Sequence, residues 1–557
     1  MNKKLTYLYV ALVTIVFLIR SVVFAWQYGG IEHDSGWYLG VARNLAQRGI
    51  YASYTNTIKE EGAGPFSNIH GRYSVQDKDG FSFFPAGVTV GPGYIIPEAL
   101  MMKLFGYGWW QYRLWPLISY IGLIFIIFLI VYRLGGVLSL VIFQIWLWIT
   151  PHLTIQFSYE SYGEHVALFY LLLSFYLIFI AQKGKNQKLL YFLSGFFFSL
   201  SFLTKYLFFI AGFAFMVLAF WQFVKNPNRL KTIRLWIIWF GFLLLPIISF
   251  ELYRYLFLVT RFGIESWYAI NKDLIIHFQS NGSGINLANV NWNFINTKIS
   301  FWNVAGITPI IAWCTTLVSP FIFLKNKSKN IKILYVLLFA SFLTTVIWYI
   351  LFSSFGWTRH VWLGLIVGMM LISIFLSKLW NYKKILSSAF FILLIFYLGY
   401  SSLLNKDKFE PRFILNQAVI DKWDSNRYAR GLQGLPANPI ISLIDQKELM
   451  YFFNQNVKSE DRIYYLGWFL VAEASPLVDK VFYSLDRYLE IGQAEGSDGG
   501  KSYLIIGPYQ KGKYSLVAKD YYPKKVLQLC EDVVFENSSY TLCTLKNNLV
   551  YENRAYD

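Results

Sequence analysis

The chain of 557 residues is 56% hydrophobic and only 15% charged, which excludes an ordinary soluble enzyme. Its net charge of +18 does not mark a nucleic-acid binder, because residues 405–557 carry 19 basic and 20 acidic side chains. The basic excess lies in residues 1–404, in short loops between apolar runs, where positive charge orients a polytopic membrane protein.

The first apolar run, residues 5–25, follows Lys3 and Lys4 and lacks a small-residue cleavage site, so it reads as a retained helix. Beyond it lies Glu32-His33-Asp34-Ser35-Gly36-Trp37-Tyr38-Leu39. The Asp-Ser pair can N-cap a helix over 36–48. Alternatively, Asp34 is a carboxylate placed for chemistry at the mouth of the first span. Tyr38, Val41, Ala42 and Leu45 give the helix one apolar face, suited to lying on a bilayer surface.

Residues 86–105 are apolar enough to span, yet hold Pro92, Pro97, Gly87, Gly91, Gly93, Glu98 and Lys103. If they crossed, the lysine clusters at 183–188, 225–234, 325–332 and 378–384 would face outward. The positive-inside rule therefore predicts a non-spanning piece within one large outer loop, 28–109. Spans follow near 110–132, 136–152, 165–182, 188–204, 206–224, 233–257, 301–324, 333–352, 360–378 and 384–402. With 5–27 that makes about eleven, the amino end cytoplasmic and the carboxyl-terminal region outside. All twelve acidic residues before 405, from Glu32 to Asp273, then fall on the outer side.

Ionisable groups at membrane depth are costly and are usually functional. Besides Asp34, three places qualify. Glu160 and Glu164 lie four residues apart at the start of the fourth span, where one carboxylate would simply favour a helix N-terminus. Lys205 sits at an outer turn, either snorkelling to the headgroups or binding an anion. Arg359 and His360 open the tenth span, and an arginine fork suits a phosphate. Carboxylates and phosphate-binding cations on one face suit an enzyme whose leaving group is a lipid phosphate. A transporter or flippase of a lipid-linked glycan is the alternative, but it would place charge mid-membrane within internal repeats.

The run Asp34-Ser35-Gly36-Trp37-Tyr38-Leu39-Gly40-Val41-Ala42-Arg43-Asn44-Leu45-Ala46 resembles the first-outer-loop motif of GT-C glycosyltransferases. Among these it is nearest the protein O-mannosyltransferase and aminoarabinose-transferase group. Gly91-Pro92-Gly93-Tyr94-Ile95-Ile96-Pro97, Glu164-His165-Val166-Ala167-Leu168-Phe169, Leu203-Thr204-Lys205 and Arg359-His360 fit further positions of that family. The resemblance covers about residues 1–400. It implies a polyprenyl-phosphate-linked sugar donor, inverting transfer to a protein, lipid or glycan acceptor, and location in the plasma membrane. Asp34 would act as general base, and Glu164 with Glu160 would orient the acceptor or hold a divalent cation. Lys205, Arg359 and His360 would bind the lipid phosphate. Ser35 departs from the pattern, since many members carry a second acidic residue there, and this weakens a metal-assisted reading of the first loop.

After residue 404 the composition turns soluble. Strands over 461–467 and 502–507, helices over 444–456 and 516–529, and a hairpin around Asn537-Ser538-Ser539 predict an extracytoplasmic α/β domain, 405–557. Its role is either acceptor recognition or a structural cap. Cys530 and Cys543 flank the hairpin and can pair only if that region faces an oxidising space. Cys314 lies in a span.

Overall fold

A computed structural model describes residues 3–27, 31, 33–53, 75–76, 81–84, 90–149, 162–182, 186–280, 292, 295–296, 316–320, 329–352, 358–404, 443–465, 474, 476–478, 480, 482–484, 500–507 and 527–546. The apolar runs form helices. These are α1 (Lys3–Gln27), α4 (Leu114–Gly135), α5 (Val137–Ile149), α6 (Glu164–Ala181), α7 (Gln187–Thr204), α8 (Gly212–Lys225), α9 (Arg229–Ser280), α10 (Lys329–Leu351), α11 (Thr358–Tyr382) and α12 (Lys384–Leu404). Between the first two stand α2 (His33–Arg48), the ribbon β1 (Val75–Gln76) and β2 (Ser82–Phe83), and α3 (Pro92–Phe105). Among the described residues six helical segments are long and apolar enough to cross a membrane, with three shorter apolar ones beside them. The span expected over 301–324 falls mostly outside the described residues.

The packing order follows hydropathy. α11 is apolar on every face and is buried almost throughout, as such a helix must be. α1 and α9 instead expose Leu8, Leu12, Ile15, Ile237, Leu245 and Leu252, side chains that only lipid can cover. α9 runs past the end of its predicted span at 257. Gly263, at φ 81°, interrupts its helical geometry and separates the apolar rod from the final turns.

α3 has 14 residues and is about 21 Å long, too short for hydrocarbon about 30 Å thick. This agrees with the expectation that 86–105 does not span. Its interior Pro97 cannot donate to the Gly93 carbonyl, which receives a long 3.5 Å hydrogen bond from the Tyr170 hydroxyl instead. One face of α3, with Tyr94, Glu98 and Met102, is buried, while Ile96, Leu100 and Leu104 are exposed.

α2 corrects the sequence reading twice. It begins at His33, so Asp34 lies within the first turn and does not cap a helix starting at 36. Its apolar face does not lie on a bilayer, since Trp37, Tyr38, Leu39, Val41 and Ala42 are buried in the protein. α3 packs against that helix, and the face shares one apolar cluster with residues of α3, α13 (Leu443–Asn456) and the carboxyl-terminal sheet. The helix ends before Gly49, whose φ of 69° a side-chain-bearing residue rarely adopts.

The carboxyl-terminal part contains α13 (Leu443–Asn456), β3 (Arg462–Tyr465), β4 (Phe482–Ser484), β5 (Ser502–Ile506), β6 (Cys530–Glu536) and β7 (Thr541–Leu545). The sheet order is β4-β3-β5-β7-β6, with β4, β3 and β5 parallel and β7 antiparallel to both its neighbours. The hairpin forms as expected. The Asn537 side-chain oxygen accepts from the amides of Ser539 and Tyr540 and closes the turn. Cys530 and Cys543 are joined by a disulfide. Residues 516–526 of the second expected helix lie outside the described residues. The sheet, α2, α3 and the first turns of α6 share one apolar cluster, so this end of the bundle is its head.

Candidate active site

Three helices meet at the head. α6 starts at Glu164 because Gly163 turns the chain at φ 83°, and a Cβ there would lie 2.2 Å from Val90 Cγ2. α7 stops at Thr204. Lys205 adopts extended dihedrals, its amide bonds the Ser201 carbonyl, and a 3₁₀ turn over Tyr206–Ala211 follows. The Lys205 Nζ then lies 3.3 Å from Glu164 Oε1. It also lies 5.9 Å from the Tyr38 ring centroid, which brings α2 to the same point. Glu164 Oε2 is buried and has no hydrogen-bond partner among the described residues.

The glycines of the Gly91-Pro92-Gly93 run make this convergence possible. The Gly91 amide donates to the Thr204 carbonyl at 2.9 Å. A Cβ on Gly91 would stand 1.9 Å from the Leu203 carbonyl oxygen, and one on Gly93 2.5 Å from that of Leu200. Backbone packs directly on backbone there, so α3 seats against the end of α7 beside Lys205.

A second polar group lies one residue further on. The Tyr206 hydroxyl donates to Glu251 Oε1 at 3.3 Å, and Arg254 Nη2 donates to Glu251 Oε2 at 2.6 Å and to Asn271 Oδ1 at 3.3 Å. Arg254 is buried, lines a narrow crevice with Tyr51, Phe83, Phe84 and Phe250, and has Nη1 unpaired among the described residues. The sequence reading did not single it out. The available signal was Glu251 and Arg254, three residues apart inside an apolar run.

On α3, Glu98 is fully buried, and burial pushes its carboxyl well above the usual carboxylate range.

Of the residues expected to carry chemistry, Glu164 and Lys205 form one ion pair, with α2 alongside. Asp34 is in the first turn of α2, and Arg359 is the second residue of α11; the side chains of both lie outside the described residues, as does all of Glu160. His360 is half-buried, its ring 6.3 Å from that of Trp348. Among the described residues no cluster of three or more His, Cys, Asp or Glu side chains is placed to hold a metal ion.

No protein-family model and no curated protein matches the sequence. Solved structures do match. ArnT from Cupriavidus metallidurans bound to undecaprenyl phosphate is 12% identical, with a TM-score of 0.55 over 96% of this chain and 98% of that one. Its apo state gives 0.53 at 12% identity, over 96% and 97%. The apo oligosaccharyltransferase of Archaeoglobus fulgidus gives 0.50 at 12% identity, over 91% of this chain and 70% of that one. Across nearly its whole length, then, the chain has the fold of the GT-C membrane glycosyltransferases.

Proposed function

We propose that this chain is an inverting glycosyltransferase that moves a sugar from a polyprenyl-phosphate carrier to an acceptor at the outer face of the plasma membrane. The observation that carries the reading is the Lys205–Glu164 pair, held where α2, α6 and α7 converge. A cation fixed at the bundle head suits the phosphate of a carrier whose tail stays in the bilayer. ArnT bound to undecaprenyl phosphate supplies the chemical class of that carrier.

In the proposed reaction the acceptor hydroxyl attacks the anomeric carbon opposite the phosphate. The carbon–oxygen bond to phosphate breaks, and the phosphate leaves with the electron pair. Asp34 takes the acceptor proton, a role that contributes about 10²–10⁴-fold. Asp34 and Tyr38 are four residues apart on α2, so the backbone puts them on one face, and Tyr38 neighbours Lys205. Lys205, Arg359 and His360 stabilise the departing phosphate. Glu164 holds the Lys205 ammonium in place and, with Glu160, orients the acceptor or a divalent cation. About eleven spans, a cytoplasmic amino terminus and an extracytoplasmic domain over 405–557 complete the arrangement. The Cys530–Cys543 disulfide supports that side for the domain, since such bonds persist in oxidising compartments.

The test is release of undecaprenyl phosphate from undecaprenyl-phosphate-linked hexoses and pentoses by the purified protein, alongside mass analysis of envelope glycans from cells with and without it. Normal glycans in its absence, together with no release from any donor, would overturn the reading.

A further inference from the structure

α2 is gripped near both ends by residues more than four hundred positions later. Just before its first turn, the Ile31 amide donates to Gln446 Oε1 at 2.7 Å, and Gln446 Nε2 donates back to the Ile31 carbonyl at 2.8 Å. A side-chain amide thus reproduces the reciprocal pair of hydrogen bonds that joins antiparallel strands. Gln446 lies on α13, is fully buried, and places Nε2 3.3 Å from the Tyr540 hydroxyl as well. Further along α2, Arg43 Nη1 donates to the Pro476 carbonyl at 2.5 Å, an oxygen that the Tyr112 hydroxyl also bonds. Between the two grips α2 is buried with Leu449, Phe453, Ile463 and Tyr465 in one apolar cluster.

Apolar contacts let a helix slide or rotate by fractions of an ångström, whereas paired hydrogen bonds to a fixed amide do not. We infer that α13 and the sheet are a positioning element for α2, with Gln446 the residue that sets the start of the helix and hence Asp34 and Tyr38. The inference rests on the glycosyl-transfer reading and gives the carboxyl-terminal part a role other than acceptor recognition. Both hydrogen bonds of Gln446 to residue 31 are to its backbone, so they do not depend on which side chain stands there.

Hydrogen exchange on the full-length protein in nanodiscs tests this, with Gln446→Met and Gln446→Glu as variants. Methionine keeps the volume and removes both bonds, while glutamate keeps the acceptor and loses the donor whenever it ionises. Loss of such bonds is expected to speed exchange across 33–48 up to about tenfold, with 111–135, 164–181 and the β5 amides unchanged. Turnover of undecaprenyl-phosphate-linked sugars is expected to fall at least tenfold with KM within about twofold, since a misplacement of about 1 Å costs about 10²-fold. Glutamate is expected to lie between wild type and methionine in both measurements. Unchanged exchange in α2 would overturn the inference. So would equal loosening of β5, which would make Gln446 merely a brace of its own domain, or full turnover by a variant with a loosened α2. Failure of the glycosyl-transfer reading shows separately, as a wild-type protein that turns over no lipid-linked sugar. The exchange arm then decides alone whether Gln446 holds α2.

Discussion

The Gly91 amide bonds the Thr204 carbonyl, so the start of α3 and the end of α7 meet backbone to backbone, one residue before Lys205. The contact joins two stretches that look unrelated in the sequence, and it places the lysine.

Its first consequence is steric. Gly91→Ala should destabilise the protein by about 1–3 kcal/mol or prevent correct folding, because the new Cβ meets backbone that cannot rotate away. Gly241→Ala is the contrast. It lies in exposed α9 with nothing within 4 Å of its added Cβ, and should gain about 0.5–1 kcal/mol of helix stability. Thermal melts of the two variants in one detergent check both signs, and equal effects would discount the close approach.

The Lys205–Glu164 pair makes a second prediction. Lys205→Met leaves the Glu164 carboxylate, whose side chain is 4% exposed, without its cation, and should cost more stability than Glu164→Gln. The double variant should recover most of that loss, because the uncompensated charge is gone. It should recover no transfer activity, because the cation proposed to bind the phosphate is gone too. A double variant as active as wild type would remove Lys205 from the proposed site.

Glu98 predicts a pH dependence. Its carboxyl holds a proton more tightly in the folded protein than in the unfolded chain. Stability is therefore full below the unfolded value of about 4.3 and declines as pH rises from there towards the folded value. Glu98→Gln keeps the shape and cannot ionise. The variant and wild type should melt together near pH 4, with the variant increasingly the more stable towards pH 8. A constant gap across that range would show that Glu98 does not carry the effect.

Asp34 separates helix support from catalysis. Within the first turn of α2, Asp34→Asn is expected to weaken a favourable interaction with the helix dipole, about 0.3–1 kcal/mol. Transfer should nonetheless fall about 10²-fold or more, since an amide cannot take the acceptor proton. A well-folded Asp34→Asn protein with near-normal turnover would exclude the general-base role.

Chain length and hydropathy determined much of this protein, because crossing a bilayer is a one-dimensional requirement that each segment meets by itself. Helices 164–181 and 187–204 could be placed within a residue or so, and charge counting set 86–105 apart from the spans, in keeping with the 14-residue length of α3. The motifs at 91–97, 164–169 and 203–205 could also be read locally, since each marks a turn or a helix end. What only the tertiary structure decided were relations across the chain. Among them are Glu164 pairing with Lys205, the network of Tyr206, Glu251, Arg254 and Asn271, and Gln446 reaching back 415 positions to Ile31. The error at α2 has the same origin. Its periodicity announces one apolar face but not what covers it, and burying that face in lipid or in protein satisfies the hydrophobic effect equally.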